Sequence, residues 1–127
     1  KGKYVAPAPI ENLLNNHPRI ELACVGGAGH PQPSAVIKIS EEAQAAVKSG
    51  GRDALEKELT AHVEAVNAQL ANFERLDFVA VVPEEWLPEN GFLTPTMKIK
   101  RATIEKTYTP FQDDWYAQKT KVVWHQP

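Results

Sequence analysis

At 127 residues the chain has room for one compact domain, which at this size buries about two-thirds of its unfolded surface on folding. It is 43% hydrophobic and 24% charged, with a formal net charge of -2 and a pI near 6.1. That balance argues against bulk nucleic-acid binding, and no apolar run is long enough to cross a bilayer. The single cysteine, Cys24, excludes an internal disulfide and leaves too few thiols for a metal cluster, so the expected compartment is the reducing cytoplasm. No secretory leader is visible. The chain opens at Lys1 without methionine and runs straight into Gly-Lys-Tyr-Val-Ala-Pro, the pattern expected of a piece of a longer protein.

Pro7 and Pro9 precede Ile10, Glu11, Asn12, Leu13 and Leu14, and Pro18 follows, which predicts a short helix with a proline start and a proline stop. Residues 20–25 and 35–39 read as two strands, with Ile20, Leu22 and Cys24 alternating against Glu21 and Ala23, joined by a Gly-Pro-rich connection and paired antiparallel. A second short helix is expected over residues 41–48, with Ser40 as N-cap and Ser49-Gly50-Gly51 as its stop. The clearest signal follows. Leu55, Leu59, Val63, Val66 and Leu70 recur at helical spacing, with Arg52, Glu56, Lys57 and Glu64 on the opposite side. Residues 77–82 form a short apolar run ended by Pro83, which suits a buried third strand. Pro88, Asn90 and Gly91 predict a turn, residues 92–97 an extended segment around Pro95, and residues from about 99 to 108 a helix. The tail beyond it carries no decisive pattern.

The segment from Asn90 to Arg101, Asn-Gly-Phe-Leu-Thr-Pro-Thr-Met-Lys-Ile-Lys-Arg, breaks a local rule. It gathers Lys98, Lys100 and Arg101 at the start of a predicted helix, where partial positive charge favours anions instead. Read from charge alone, the cluster is either a solvated face or a place where a phosphate or carboxylate docks.

The order Thr-Pro-Thr-x-Lys-Ile-Lys-Arg after an Asn-Gly turn resembles the terminal lysine motif of adenylate-forming enzymes in its long-chain acyl-CoA synthetase version. Residues 1–11, KGKYVAPAPIE, resemble the segment just after that family's hinge, residues 20–39 its following strand pair, and residues 73–108 follow its pattern closely. The middle matches in periodicity and scattered identities. The resemblance implies an α+β domain, a small sheet of about three main strands flanked by helices, acting as the C-terminal lid of an AMP-forming fatty-acyl-CoA synthetase. It implies that Lys98 is the catalytic lysine bridging the substrate carboxylate and the nucleotide α-phosphate. Gly2 would border the tunnel for the pantetheine arm of coenzyme A on the opposite face, and Lys3 would be a weaker contact for coenzyme A phosphates. A plain turn glycine and a solvated lysine are the alternatives for those two positions.

Lys100 and Arg101 are expected to be outer or solvated cations. Met97 stands where short-chain relatives place a glycine. The hinge aspartate or lysine and the whole N-terminal nucleotide-binding domain with its phosphate loop are absent from the sequence. The implied partners are therefore that N-terminal adenylation domain, a fatty acid and coenzyme A. ATP/AMP, Mg2+ and coenzyme A belong to the intact enzyme, which could touch membranes peripherally, and none is expected to bind the isolated, inactive domain. The rival from another class is a stand-alone anion- or protein-binding module, with Lys98, Lys100, Arg101 and Lys106 as its patch and the aromatics as its partner surface.

Other features carry less. His17, His30, His62 and His125 lack metal-ligand spacing. Asp113 and Asp114 are adjacent and read as a solvated face. Trp86, Trp115 and Trp124 with Tyr108 and Phe111 are expected to seal the core or a docking face. Gly26 to Gly29 is a connection between strands, because no Gly-Lys-Ser/Thr follows it.

Overall fold

A proline at the first helical position costs no hydrogen bond, because that amide has no intrahelical partner. In the computed structural model, which describes residues 4–27 and 29–126, helix α1 (Pro7–Asn15) begins in this way and ends before Pro18. Strands β1 (Ile20–Gly26) and β2 (Ser34–Ile39) pair antiparallel. Helix α2 (Glu41–Lys48) follows, with the Ala43 amide donating to the Ser40 hydroxyl at 3.2 Å. The long apolar stripe becomes helix α3 (Arg52–Ala68). Its end is tied to the segment before the next strand by Asn67, whose side chain accepts from the Leu76 amide at 2.8 Å and donates to the Leu76 carbonyl at 2.9 Å. Strand β3 (Val79–Val81), helix α4 (Arg101–Tyr108), helix α5 (Gln112–Ala117) and strand β4 (Val122–Trp124) complete the order.

The sheet runs β1-β2-β3-β4, antiparallel between the first two and parallel thereafter. The α+β class is as expected; beside the three main strands that were anticipated the sheet carries a short fourth. Residues 122–124 are too short for alternation to register, yet they pair along Val79–Val81 and are covered on both faces. The segment 92–97, expected to be extended, makes a single antiparallel bridge, Leu93 with Ile99, around a tight turn.

Period-two alternation divides the core into two layers. Ala35, Ile37, Val79, Val81 and Val122 face α1 and α3, where Ile10, Leu14, Leu55, Leu59, Val63 and Val66 are buried against them. Val36, Ala80 and Val123 face the other way, onto Ile104, Tyr108 and Trp115 from α4 and α5, with Phe78, Trp86, Phe92 and Leu93. Strand β1 departs from the expected alternation. Ile20 pairs with Ile39 and Leu22 with Lys38, so two steps on β1 oppose one on β2. This bulge turns Ile20 onto the same face as Ala23 and Val25, while Leu22 and Cys24 face the second layer.

Gly27 opens the connection between β1 and β2. At Gly27 φ is +97°, and a Cβ there would stand 2.4 Å from the Tyr116 hydroxyl, which donates to the Gln32 carbonyl at 2.7 Å. Only glycine meets both conditions.

Beyond α1 the chain turns through His17, whose ring lies 4.8 Å from that of His62. The Nδ1 of His17 accepts from the Arg19 amide at 3.0 Å, an arrangement that requires the neutral ring at that nitrogen. Burial first, and the neighbouring His62 second, hold the His17 pKa below its ordinary value. A depressed folded-state pKa adds stability that is complete above the unfolded value of about 6.5 and is lost as pH falls from there through the lower folded-state value. The urea midpoint is therefore expected to fall between about pH 7.5 and pH 5.5, and His17→Gln is expected to flatten that dependence. Equal slopes in the two proteins would contradict the assignment.

Candidate functional site

The lysine-bearing segment is built outward from buried anchors. The Asn90 side chain organises the turn before it, accepting from the Leu87 and Phe92 amides at 3.2 Å each and donating to the Glu85 carbonyl at 2.7 Å. Phe92 and Leu93 then enter the second core layer. From there the chain makes a hairpin. The Met97 amide donates to the Thr94 carbonyl at 2.8 Å, the Thr94 amide to the Lys98 carbonyl at 2.7 Å, and the Lys100 amide to the Phe92 carbonyl at 2.8 Å. Pro95 occupies the second turn position, which its fixed φ suits.

A three-residue hairpin loop of this kind ends in a left-handed residue. That residue is Met97, with φ +67° and its side chain 57% exposed. The left-handed region is where glycine is the unstrained choice, which gives a physical sense to the glycine expected there in short-chain relatives. Thr94 tightens the loop further, because its hydroxyl accepts from the Lys98 amide at 3.1 Å and lies 3.1 Å from the Thr96 hydroxyl. Lys98 is exposed. Its backbone is held by both its carbonyl and its amide, and its side chain starts from the end of a pinned turn.

Lys100 caps α4 by position but not by side chain, and it too is exposed. Of the two expectations for Arg101, an outer or a solvated cation, the solvated one does not hold. Its guanidinium forms a bidentate pair with the Glu11 carboxylate, Nη1 to Oε2 and Nη2 to Oε1, the latter at 3.1 Å. Nη1 also donates to the Val25 carbonyl at 3.2 Å. Glu11 is only 7% exposed, and its Oε2 accepts from the Val25 amide at 2.8 Å. A carboxylate this buried is tolerable only when paired and hydrogen-bonded, and the Glu11 hydrogen bond in turn holds the Arg101 pKa up. The four-cation patch of an interaction module is thereby reduced, since Arg101 is turned into the fold and only Lys98, Lys100 and Lys106 remain exposed.

Sequence reasoning missed Glu11. The signal was present: Glu11 stands three residues before buried Leu14 and next to buried Ile10, on the inward side of an amphipathic helix.

Gly2 and Lys3, the expected coenzyme A contacts, lie outside the described residues. Tyr4 and Val5, which follow them, border a groove of about 890 Å³ that Val25, Gly27, Arg101 and Glu105 also line. A smaller recess of about 250 Å³ lies against Cys24, Ser34, His30, Glu105 and Asp113. Burial pushes the Cys24 thiol up to about 12, so it carries no nucleophile there. Trp86 and Trp115 seal the second core layer as expected. Trp124 packs at the first, its indole donating to Glu56 at 2.7 Å with the Arg52 guanidinium 4.6 Å above the ring. Among the described residues, no cluster of three or more His, Cys, Asp or Glu side chains could hold a metal ion.

Residues 1–120 match the family described as "AMP-binding enzyme C-terminal domain". The long-chain-fatty-acid–CoA ligase FadD15 of Mycobacterium tuberculosis is 32% identical over 120 residues, which is 84% of this chain and 20% of the ligase. The human mitochondrial acyl-coenzyme A synthetase ACSM1 is 30% identical over 108 residues, 85% of this chain and 17% of the synthetase. The chain thus spans about a fifth of the length of the curated relatives it matches. Among solved structures, the A domain of carboxylic acid reductase from Segniliparus rugosus, in complex with AMP and a co-purified carboxylic acid, superposes with a TM-score of 0.75. It is 22% identical, and the match covers 94% of this chain and 19% of that one.

The left-handed Met97 makes a direct test of the hairpin. A β-branched side chain is strained there, so Met97→Val is expected to lower the unfolding free energy by about 1–3 kcal/mol in urea titrations. Met97→Gly is expected to stay within about 1 kcal/mol of the parent, because relief of strain offsets the added chain entropy. Indistinguishable Val and Gly variants would contradict the turn.

Proposed function

The chain belongs to the family of AMP-binding enzyme C-terminal domains, and from that membership we propose that it is the mobile lid of an AMP-forming fatty-acyl-CoA synthetase, with Lys98 as its catalytic lysine. It is the C-terminal domain of an adenylate-forming enzyme; the proposal adds the two-step ligase reaction and the residues that serve it. The observation that carries it is the presentation of Lys98: an exposed ammonium on a long stem, rooted in a hairpin whose backbone is pinned on both sides.

In the proposed first step a fatty-acid carboxylate oxygen attacks the α-phosphorus of ATP, forming acyl-AMP and releasing pyrophosphate. The Lys98 ammonium offsets the negative charge developing between the carboxylate and the phosphate, and it transfers no proton. In the second step the coenzyme A thiol loses its proton, its sulfur attacks the acyl carbon, and AMP leaves. The segment containing Gly2 serves this step by bordering the pantetheine path, with Lys3 toward the phosphates. The groove beside Tyr4 and Val5, the next residues along the chain, supports a ligand-facing role for that end. No step is assigned to a metal held by this chain. The phosphate loop and acyl pocket are supplied by the N-terminal adenylation domain, the chain's proposed partner. Alternation between the two poses is a lid motion. No helix among the described residues is long and apolar enough to cross a membrane.

Three outcomes follow from these roles. The chain alone is expected to show no ATP–pyrophosphate exchange with any fatty acid. In the intact protein, Lys98→Ala is expected to slow acyl-adenylate formation by a factor on the order of a hundred to a thousand, about 3–4 kcal/mol, while leaving thioester synthesis from supplied acyl-adenylate nearly unchanged. Gly2→Leu is expected to do the reverse, sparing adenylation and slowing thioester release. Measuring the two half-reactions separately checks all three, and normal adenylation by Lys98→Ala would remove the assignment.

A further inference from the structure

We propose that Glu11 and Arg101 are positioning residues for Lys98, a role that rests on the catalytic reading of that lysine. The second arm of the hairpin, residues 98–100, runs without a break into α4, whose first residue is Arg101. No side chain caps this helix and no acidic residue stands in its first turn. Its N-terminus is held from the other direction, by the Arg101 guanidinium gripping Glu11 on α1 and the Val25 carbonyl on β1.

Glu11 is itself oriented by the Val25 amide. The clamp therefore joins three elements at a point three residues from Lys98. Shifting the start of α4 shifts the base of the hairpin, because the Lys100 amide and the Lys98 carbonyl carry its cross-strand hydrogen bonds. The lysine side chain is free to reach, but its root is not free to move.

The pairing is specific in chemistry. Arginine supplies a planar fork that lysine cannot reproduce, and a buried carboxylate left without its partner does not keep its place. Arg101→Lys and Glu11→Gln therefore retain most of the volume while removing the two-point grip. Since misplacement of a catalytic group by about 1 Å can cost on the order of a hundredfold in rate, the effect belongs in kcat of the adenylating step. The KM for ATP should change little.

The test uses the intact protein with Arg101→Lys, Glu11→Gln and, as reference, Lys98→Ala. ATP–pyrophosphate exchange, thioester synthesis from supplied acyl-adenylate, and amide hydrogen exchange of residues 92–100 and 34–39 are measured on each. The two clamp variants are expected to lose about ten- to a hundredfold in kcat for adenylation, to keep thioester synthesis near the parent rate, and to exchange faster across 92–100 with protection of 34–39 preserved. Full adenylation by both, beside a crippled Lys98→Ala, overturns the positioning role alone. Equal loss in both half-reactions with loss of protection in 34–39 also overturns it, because the pair would then merely hold the fold. Normal adenylation by Lys98→Ala overturns the lysine's role first and this inference with it.

Discussion

A buried carboxylate sits where the two halves of this domain meet. Helix α1 covers one face of the sheet and α4 the other, so the two helices meet only around the sheet's edge. Strand β1 is the edge of the sheet, and its Val25 amide and carbonyl are taken up by Glu11 and Arg101. One ion pair thus takes up the outward amide and carbonyl of one residue on this edge strand and links α1 to α4 around it. Such a pair contributes little net stability compared with apolar packing, but losing one partner is severe. Its value lies in register: it dictates where α4 begins.

That placement sets the base of the hairpin that carries Lys98. The hairpin before α4 grows from Phe92 and Leu93 in the second core layer and returns through Lys98 to the clamp. Its tip carries a methionine in a backbone conformation suited to glycine. The loop is closed by backbone hydrogen bonds and a threonine hydroxyl, which hold Met97 in that conformation. A rigid root with a long side chain is what a domain needs if it must deliver a charge into a site built elsewhere.

Much of this was legible in the sequence because the relevant signals are local. The proline start of α1, the Ser40 cap, the apolar stripe of α3 and the two antiparallel strands each rest on neighbours within a few residues. What escaped notice depends on distant partners. Strand β4 is three residues long and exists because β3 offers a parallel edge. The β1 bulge at residues 20–22 follows from pairing with Ile39 and Lys38, which alternation within β1 alone does not reveal. Arg101 was read as an outer or solvated cation, whereas its side chain is held by a carboxylate 90 positions away. The lysine motif itself was readable as a motif; the turn that shapes it was readable only in part, since Pro95 and Asn90 announce a bend but not the left-handed residue that closes it.

The account turns on Lys98 entering the reacting site during adenylation. Its amine can be followed directly in the intact protein by the rate of labelling with a lysine-specific reagent, resolved residue by residue by mass spectrometry, with and without a non-hydrolysable ATP analogue plus fatty acid. The account predicts strong protection of Lys98 on adding both ligands, with Lys100 still labelled near its free rate. Equal labelling of Lys98 in the presence and absence of the ligands would contradict it.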